Sequence, residues 1–375
     1  MNQNNLILQK TKILLCFGTR PEAIKMAPLY HELKKNDFDI KLCVTAQHRK
    51  MLDQVLDFFE ITPDFDLDLM KANQTLNGLS ANILSEIDPV LVAVNPDIVL
   101  VHGDTTTSSM VALAAFHRNI KVGHVEAGLR TYNKKSPFPE EINRQITGRI
   151  ADYHFAPTQF AKENLLKEGI DENNILVTGN TVIDALIWAK NKLDKGYKNE
   201  TLDALNFLKI QKFILVTGHR RENFGQSYID FCEALLEIAK DESVHIVFPV
   251  HLNPNVQQPV YEMLGHRANI HLLEPVDYSV MVWLLENCQL IISDSGGIQE
   301  EAPTFGKHIL VTREVSERPE GVEHGFSTLV GTDKQAIIDK SRYYLAHNFN
   351  PKNENPYGDG KGCEKISDFL QKISK

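Results

Sequence analysis

The alternation of short, apolar, β-branched runs with amphipathic stretches constrains this chain more than any other feature. Residues 12–18, 40–45, 97–103, 121–126, 153–156 and 175–178 read as strands. Between them, 21–35, 49–59, 74–94, 106–118 and 158–168 carry helical spacing. Strand runs with no polar face, interleaved with helices, predict a parallel sheet covered on both sides. A polar, lysine-rich stretch at 190–200 interrupts the series and reads as a helix end and linker. The alternation restarts at 212–217 and continues through 244–250, 269–272, 290–293 and 308–311. The expected fold class is α/β, with two Rossmann-like halves, and a turn-rich loop at 348–361 leads to a final helix near 363–374.

Length agrees with two halves, since 375 residues at about 150 per domain is roughly two domains. A formal net charge of −9 makes a general nucleic-acid binder a poor expectation, so an anionic ligand has to be held by a few placed cations. The five cysteines are scattered without a CxxC pair, which predicts reduced thiols in a cytoplasmic protein. The first ten residues are polar and lack a signal-peptide pattern, and no apolar run approaches the ~18 residues that cross a bilayer. No membrane partner is expected.

Open α/β sheets bind ligands at the carboxyl ends of their strands, which directs attention to the residues after each run. There the chain carries Gly18-Thr19-Arg20-Pro21-Glu22, His102-Gly103-Asp104, Glu126, Gly218-His219-Arg220-Arg221 and Asp294-Ser295-Gly296-Gly297. Neither GxGxxG nor GxxxxGK[ST] occurs, so a nicotinamide fingerprint and a P-loop are unsupported. Ser295, Gly296 and Gly297 lie between a strand and a helix, where backbone N–H groups can approach an anion; a tight turn capped by Ser295 is the plainer alternative. Asp104 is placed either to cap the following helix or to face the crevice. Glu126 directly ends a buried strand and needs a partner or a task. Glu140 and Glu141 open a helix, where acids are favoured anyway, with Arg144 one turn on. Several carboxylates converging on one crevice suit proton abstraction and donation. His219 stands beside two arginines, whereas His102, His124 and His154, in or near strands, read as packed core or sheet-edge residues. With no HExxH, no Cys/His metal spacing and no GxSxG elbow, nothing calls for a metal.

The blocks FGTRPEAIKMAP (17–28), TAQHRKMLDQVL (45–56), VHGDTTTS (101–108), HVEAGLRT (124–131), SPFPEEINRQ (136–145), TGHRRENFG (217–225), PVHLNP (249–254), SDSGGIQEEAP (293–303), ERPEGVE (317–323) and NPYGDG (355–360) resemble, in order, the non-hydrolysing bacterial UDP-N-acetylglucosamine 2-epimerases. The resemblance implies a GT-B-like fold: two Rossmann-like domains facing across a cleft, with the C-terminal helix packing back on the first. It assigns 1–180 with 361–375 to the N-terminal domain and 181–360 to a UDP-binding domain. It implies interconversion of UDP-N-acetylglucosamine and UDP-N-acetylmannosamine without a cofactor, by anti elimination of UDP to 2-acetamidoglucal and re-addition, in a homodimer supplying a cell-surface polysaccharide precursor.

Carried over by position, the resemblance makes Asp104, Glu126 and Glu140 catalytic carboxylates and His219 the essential histidine beside the diphosphate. Arg20, Lys25, Arg144 and Arg318 become substrate-site residues. Ser295, Gly296 and Gly297 cradle phosphate, and Glu301 takes the ribose hydroxyls. Met281 stands where many members place an aromatic residue against uracil. Gln47, Arg220 and His251 match the set with which Gram-positive members bind a second UDP-N-acetylglucosamine as activator, while Lys50 stands where some members carry glutamine. A hydrolysing epimerase, a GT-B glycosyltransferase and a non-catalytic nucleotide-sugar binder are the competing readings.

Overall fold

Leucine-, isoleucine- and valine-rich runs form two all-parallel sheets in the computed structural model, which describes residues 10–46, 49–71, 74–218, 225–316, 318–347, 349–351 and 353–374. The chain divides into one unit of Met1–Ala185 with Gly358–Lys375 and a second of Leu186–Tyr357.

In the first unit, β1 (Lys12–Phe17), α1 (Arg20–Lys35), β2 (Asp39–Val44), α2 (Arg49–Phe58), β3 (Phe65–Asp66), α3 (Leu76–Val94), β4 (Ile98–His102), α4 (Thr106–His117), β5 (Lys121–Val125), α5 (Glu140–Ile150), β6 (Tyr153–Ala156), α6 (Gln159–Lys167) and β7 (Ile175–Val177) follow in sequence. The sheet order is β3-β2-β1-β4-β5-β6-β7. The order therefore reverses between β1 and β4, the place where such sheets leave room for a ligand. Register pairs Cys16 with Val101 and His102 with Val125, which sets the residues after β1, β4 and β5 side by side. Leu14, Cys16, Val99 and Val101 pack with Ile83, Ile87, Val111 and Ala115 of α3 and α4 into one core.

The boundary between the units falls inside α7 (Thr181–Asp194). The second unit continues with α8 (Glu200–Leu205), β8 (Lys212–Thr217), α9 (Gln226–Ile238), β9 (Val244–Pro249), α10 (Pro254–Leu264), β10 (Ile270–Leu273), α11 (Tyr278–Asn287), β11 (Leu290–Ser293), α12 (Gly296–Glu301), β12 (Ile309–Val311), α13 (Pro319–Glu323), β13 (Ser327–Leu329) and α14 (Lys334–Ala346). Its sheet order β10-β9-β8-β11-β12-β13 reverses between β8 and β11. Separate apolar clusters lie on its two faces.

The last helix, α15 (Gly362–Ile373), packs on α1 of the first unit, in line with the sequence expectation. Ile366 and Leu370 are buried, and Phe369 meets the rings of Tyr153 and Phe155 edge-on at 5.5 and 5.6 Å. Asp184 accepts the N–H groups of Gly362 at 3.2 Å and Cys363 at 2.9 Å, capping donors that the helix leaves unpaired. All five cysteines are free and buried. Among the described residues no helix is long and apolar enough to cross a membrane.

The stretch at 190–200 is the helix end and linker that the sequence suggests: α7 runs to Asp194, and Lys192 lays its cationic end over the rings of Trp188 and Tyr197, at 5.1 and 5.4 Å. One expectation shifts. The two-residue β3 and three-residue β13 add strands that the sequence does not announce, being too short to show a period.

Candidate active site

The turn after β1 is set by Glu22. Thr19 caps α1, and Glu22 at the third helical position reaches back, completing a capping box. Its Oε2 accepts from the N–H of Gly18 at 3.1 Å, the N–H of Thr19 at 2.9 Å and the Thr19 hydroxyl at 2.8 Å. Its Oε1 accepts from the Thr105 hydroxyl at 2.8 Å, which ties this turn to the start of α4. Burial pushes the Glu22 carboxyl up to about 7 despite those donors. Only glycine fits at position 18, since a Cβ there would collide with the hydroxyls of Thr45 and Thr107. Arg20 occupies the first position of α1, half-buried.

Asp104 does not cap α4. Thr105 does, accepting the Ser108 N–H at 3.0 Å, which leaves the Asp104 carboxylate to pair with Arg144 of α5 through both Nε, at 3.1 Å, and Nη2. Burial raises the Asp104 carboxyl; Arg144 opposes the rise and the charge of Glu126 adds to it. Arg144 also reaches Glu141 at 3.5 Å. Glu141 is structural: it is fully buried and accepts the N–H groups of Thr131 and Tyr132, each at 3.0 Å. Burial opposes its ionisation, yet these bonds carry it below the ordinary carboxylate range. Its neighbour Glu140 is the first residue of α5, and its Oε2 is shut off from solvent with no hydrogen bond from the described residues.

Glu126 leaves β5 with φ 62°, a left-handed backbone that a non-glycine residue adopts at some cost. Its Oε2 accepts from the Lys25 ammonium and, at 2.8 Å, from the amide of Asn180. His102 Nε2 stands 3.8 Å from the same oxygen, but burial holds that imidazole down to about 4, so at neutral pH Lys25 supplies the positive charge. His124, buried and pushed down to about 3, is likewise neutral, and its Nε2 bonds the Gly103 carbonyl at 2.7 Å. His102, His124 and His154 are all buried, which decides for packed core over sheet edge. Lys25, Asp104, Glu126 and Arg144 are thus one electrostatic group at the reversal point of the first sheet.

At the reversal point of the second sheet, the Ser293 hydroxyl bonds that of Thr217 at 2.6 Å and accepts the Ser295 N–H at 3.0 Å. Ser295 caps α12, with Gly296 and Gly297 opening the helix. The Arg318 guanidinium is paired with buried Glu300 at 2.9 Å and lies against Gly296, where a Cβ would be 3.2 Å from its central carbon. Glu301 ends α12, half-buried. Met281 of α11 packs on an inner cluster of this unit, and His251 is exposed after β9, its Nδ1 accepting the Asn253 N–H at 3.1 Å. His219, Arg220 and Gln47 lie outside the described residues. Among those described, no group of three or more His, Cys, Asp or Glu is placed to hold a metal ion.

Sequence reasoning overlooked Asn180, Glu22 and Glu300. Asn180 had a signal, because Gly179-Asn180 follows a strand as the other candidates do. Glu22 stood inside a quoted motif, but its link to Thr105 depends on strand order.

The family model described as UDP-N-acetylglucosamine 2-epimerase matches residues 31–371. The UDP-N-acetylglucosamine 2-epimerase of Salmonella typhimurium is 52% identical over 370 residues, covering 96% of this chain and 98% of its own. That of Campylobacter jejuni is 53% identical over 373 residues, covering 96% and 97%. A crystal structure of the UDP-GlcNAc 2-epimerase from Neisseria meningitidis bound to UDP-GlcNAc superposes with a TM-score of 0.88 at 48% identity, covering 96% of this chain and 100% of that one.

Proposed function

Since the chain belongs to the UDP-N-acetylglucosamine 2-epimerase family, we propose that it interconverts UDP-N-acetylglucosamine and UDP-N-acetylmannosamine without releasing free sugar. A carboxylate removes the proton from C2 as the bond from C1 to the UDP oxygen breaks, which leaves 2-acetamidoglucal and UDP. UDP then adds back to C1 while a proton reaches C2 from the opposite face. Electrons and atoms balance without a redox partner, so the chemistry calls for no nicotinamide. We read the enzyme as a cytoplasmic homodimer whose product is a precursor for cell-surface polysaccharide.

The observation that carries this reading is the Glu126 carboxylate, set by a left-handed backbone and two donors beside the Arg144-paired Asp104. A fold needs no such arrangement at the end of a buried strand, whereas proton transfer at carbon needs a carboxylate held in one orientation. Glu140, with an oxygen that is shielded from water and takes no hydrogen bond from the described residues, is the third candidate for proton transfer. His219 stands beside the diphosphate, Arg20 and Lys25 bind UDP, Arg144 and Arg318 are further substrate-site residues, Ser295, Gly296 and Gly297 offer backbone donors, Glu301 takes the ribose and Met281 the uracil. Gln47, Arg220 and His251 are the candidates for a second, activating nucleotide sugar.

Incubation with UDP-N-acetylglucosamine in D2O, followed by NMR, tests the proposal. Deuterium at C2 of UDP-N-acetylmannosamine is expected. Retained protium there would rule out elimination through the glucal, and free N-acetylmannosamine with UDP would assign the hydrolysing reaction instead.

A further inference from the structure

Asn180 sits between β7 and α7 and is 3% exposed. Its Oδ1 accepts the N–H of Val182 at 3.0 Å. A backbone N–H can only donate, so this bond decides which end of the amide faces which way. The NH2 group is therefore the end turned to Glu126, 2.8 Å from Oε2. Holding the start of α7 requires only the oxygen, which Asp or Ser would supply as well. The nitrogen is surplus to that task.

We propose that Asn180 is a positioning residue for Glu126: anchored through Oδ1 at the start of α7, its amide donates to Oε2 and holds the carboxylate ionised and in one orientation. The inference rests on the reading of Glu126 as a catalytic carboxylate. A donor on a carboxylate oxygen favours the charged form, and two donors on one oxygen restrict the side chain's rotation. Among the described residues, Lys25 from α1, His102 from the end of β4 and Asp104 beyond it are charged and titratable groups that act at the same place. Lys25 supplies charge on a flexible stem, whereas the Asn180 amide is planar and fixed at its other end.

Asn180→Asp separates the two tasks, because it keeps the oxygen facing Val182 and replaces the donor with a second carboxylate facing Glu126. Two such groups disfavour joint ionisation. The kcat for UDP-N-acetylglucosamine should fall roughly 10- to 100-fold, KM should change by less than about threefold, and the acid limb of kcat should move to higher pH. Asn180→Ser, which also retains a capping oxygen but has no amide, should lower kcat with a smaller displacement of the limb. Wild-type kcat and an unmoved limb in both variants would reduce Asn180 to a helix cap and overturn the proposal. Should the Asp variant fail to fold, wild-type kcat with an unmoved limb in the Ser variant is enough to overturn it. Wild-type enzyme inert toward UDP-N-acetylglucosamine would overturn the functional reading and this inference together, whereas an active wild type with unaffected variants overturns the inference only.

Discussion

Glu22 places a carboxyl group in the core of the first unit, and the consequence for stability has a definite sign. Its folded value of about 7 lies above the ordinary 4.5, so the folded state holds the proton more tightly than the unfolded chain does. The stability it contributes is complete below about pH 4.5 and is lost as the pH rises to about 7, a change of roughly 3 kcal/mol. Glu22→Gln keeps the geometry and cannot ionise. The difference in unfolding free energy, wild type minus variant, should therefore decline across that window in urea titrations at successive pH values; a flat difference would show that Glu22 does not titrate there. The proton-transfer candidates behave differently. Asp104→Asn, Glu126→Gln and Glu140→Gln should each lower kcat on the order of 10²–10⁴-fold while UDP affinity, measured by calorimetry, stays near wild type. Three variants of near-normal kcat would leave these residues with structural roles only. Residues at strand ends were legible in the sequence, because chain order alone puts Asp104 and Glu126 there. Lys25 and Arg144 were legible too, as members of quoted motifs, but their pairings were not: Lys25 and Asn180 reach Glu126, and Arg144 reaches Asp104, through sheet order and helix packing, which no local pattern encodes.

Helix α15 poses the same question one level up. Its apolar stripe, Ile366, Phe369 and Leu370, packs in the first unit, and Asp184 caps its first turn from α7. Asp184→Ala leaves two buried N–H groups without their acceptor, which costs about 1–3 kcal/mol for each. The loss should be local at first, appearing as faster hydrogen exchange at Gly362 and Cys363 than at β1 amides. Unchanged exchange at those two amides would mean that packing alone holds the helix. At this scale the sequence was most informative. The long helices and the central strands show a clear period, whereas β3 and β13 owe their existence to a neighbouring strand edge. The end of α7 falls inside the polar stretch 190–200, where composition places it.

Each unit of the molecule closes its own core, so unfolding need not be a single step. Both tryptophans, Trp188 and Trp283, belong to the second unit, which makes their fluorescence a selective reporter of it. Thermal transitions followed by fluorescence and by far-ultraviolet circular dichroism should fail to coincide. UDP, held by Ser295 and Glu301 in the proposed site, should raise the fluorescence transition, with about 2.7 kcal/mol added at a hundredfold excess over Kd. Coincident curves, or a fluorescence transition indifferent to UDP, would contradict this division. The first unit is also discontinuous, completed by Gly358–Lys375 from beyond the second. A ribosome makes the chain from its amino end, so all of the second unit is synthesised before Phe369 exists to cover Tyr153 and Phe155. Maturation therefore runs against the order of translation: the unit encoded later can finish first, and the unit encoded earlier waits, one face bare, for its closing helix.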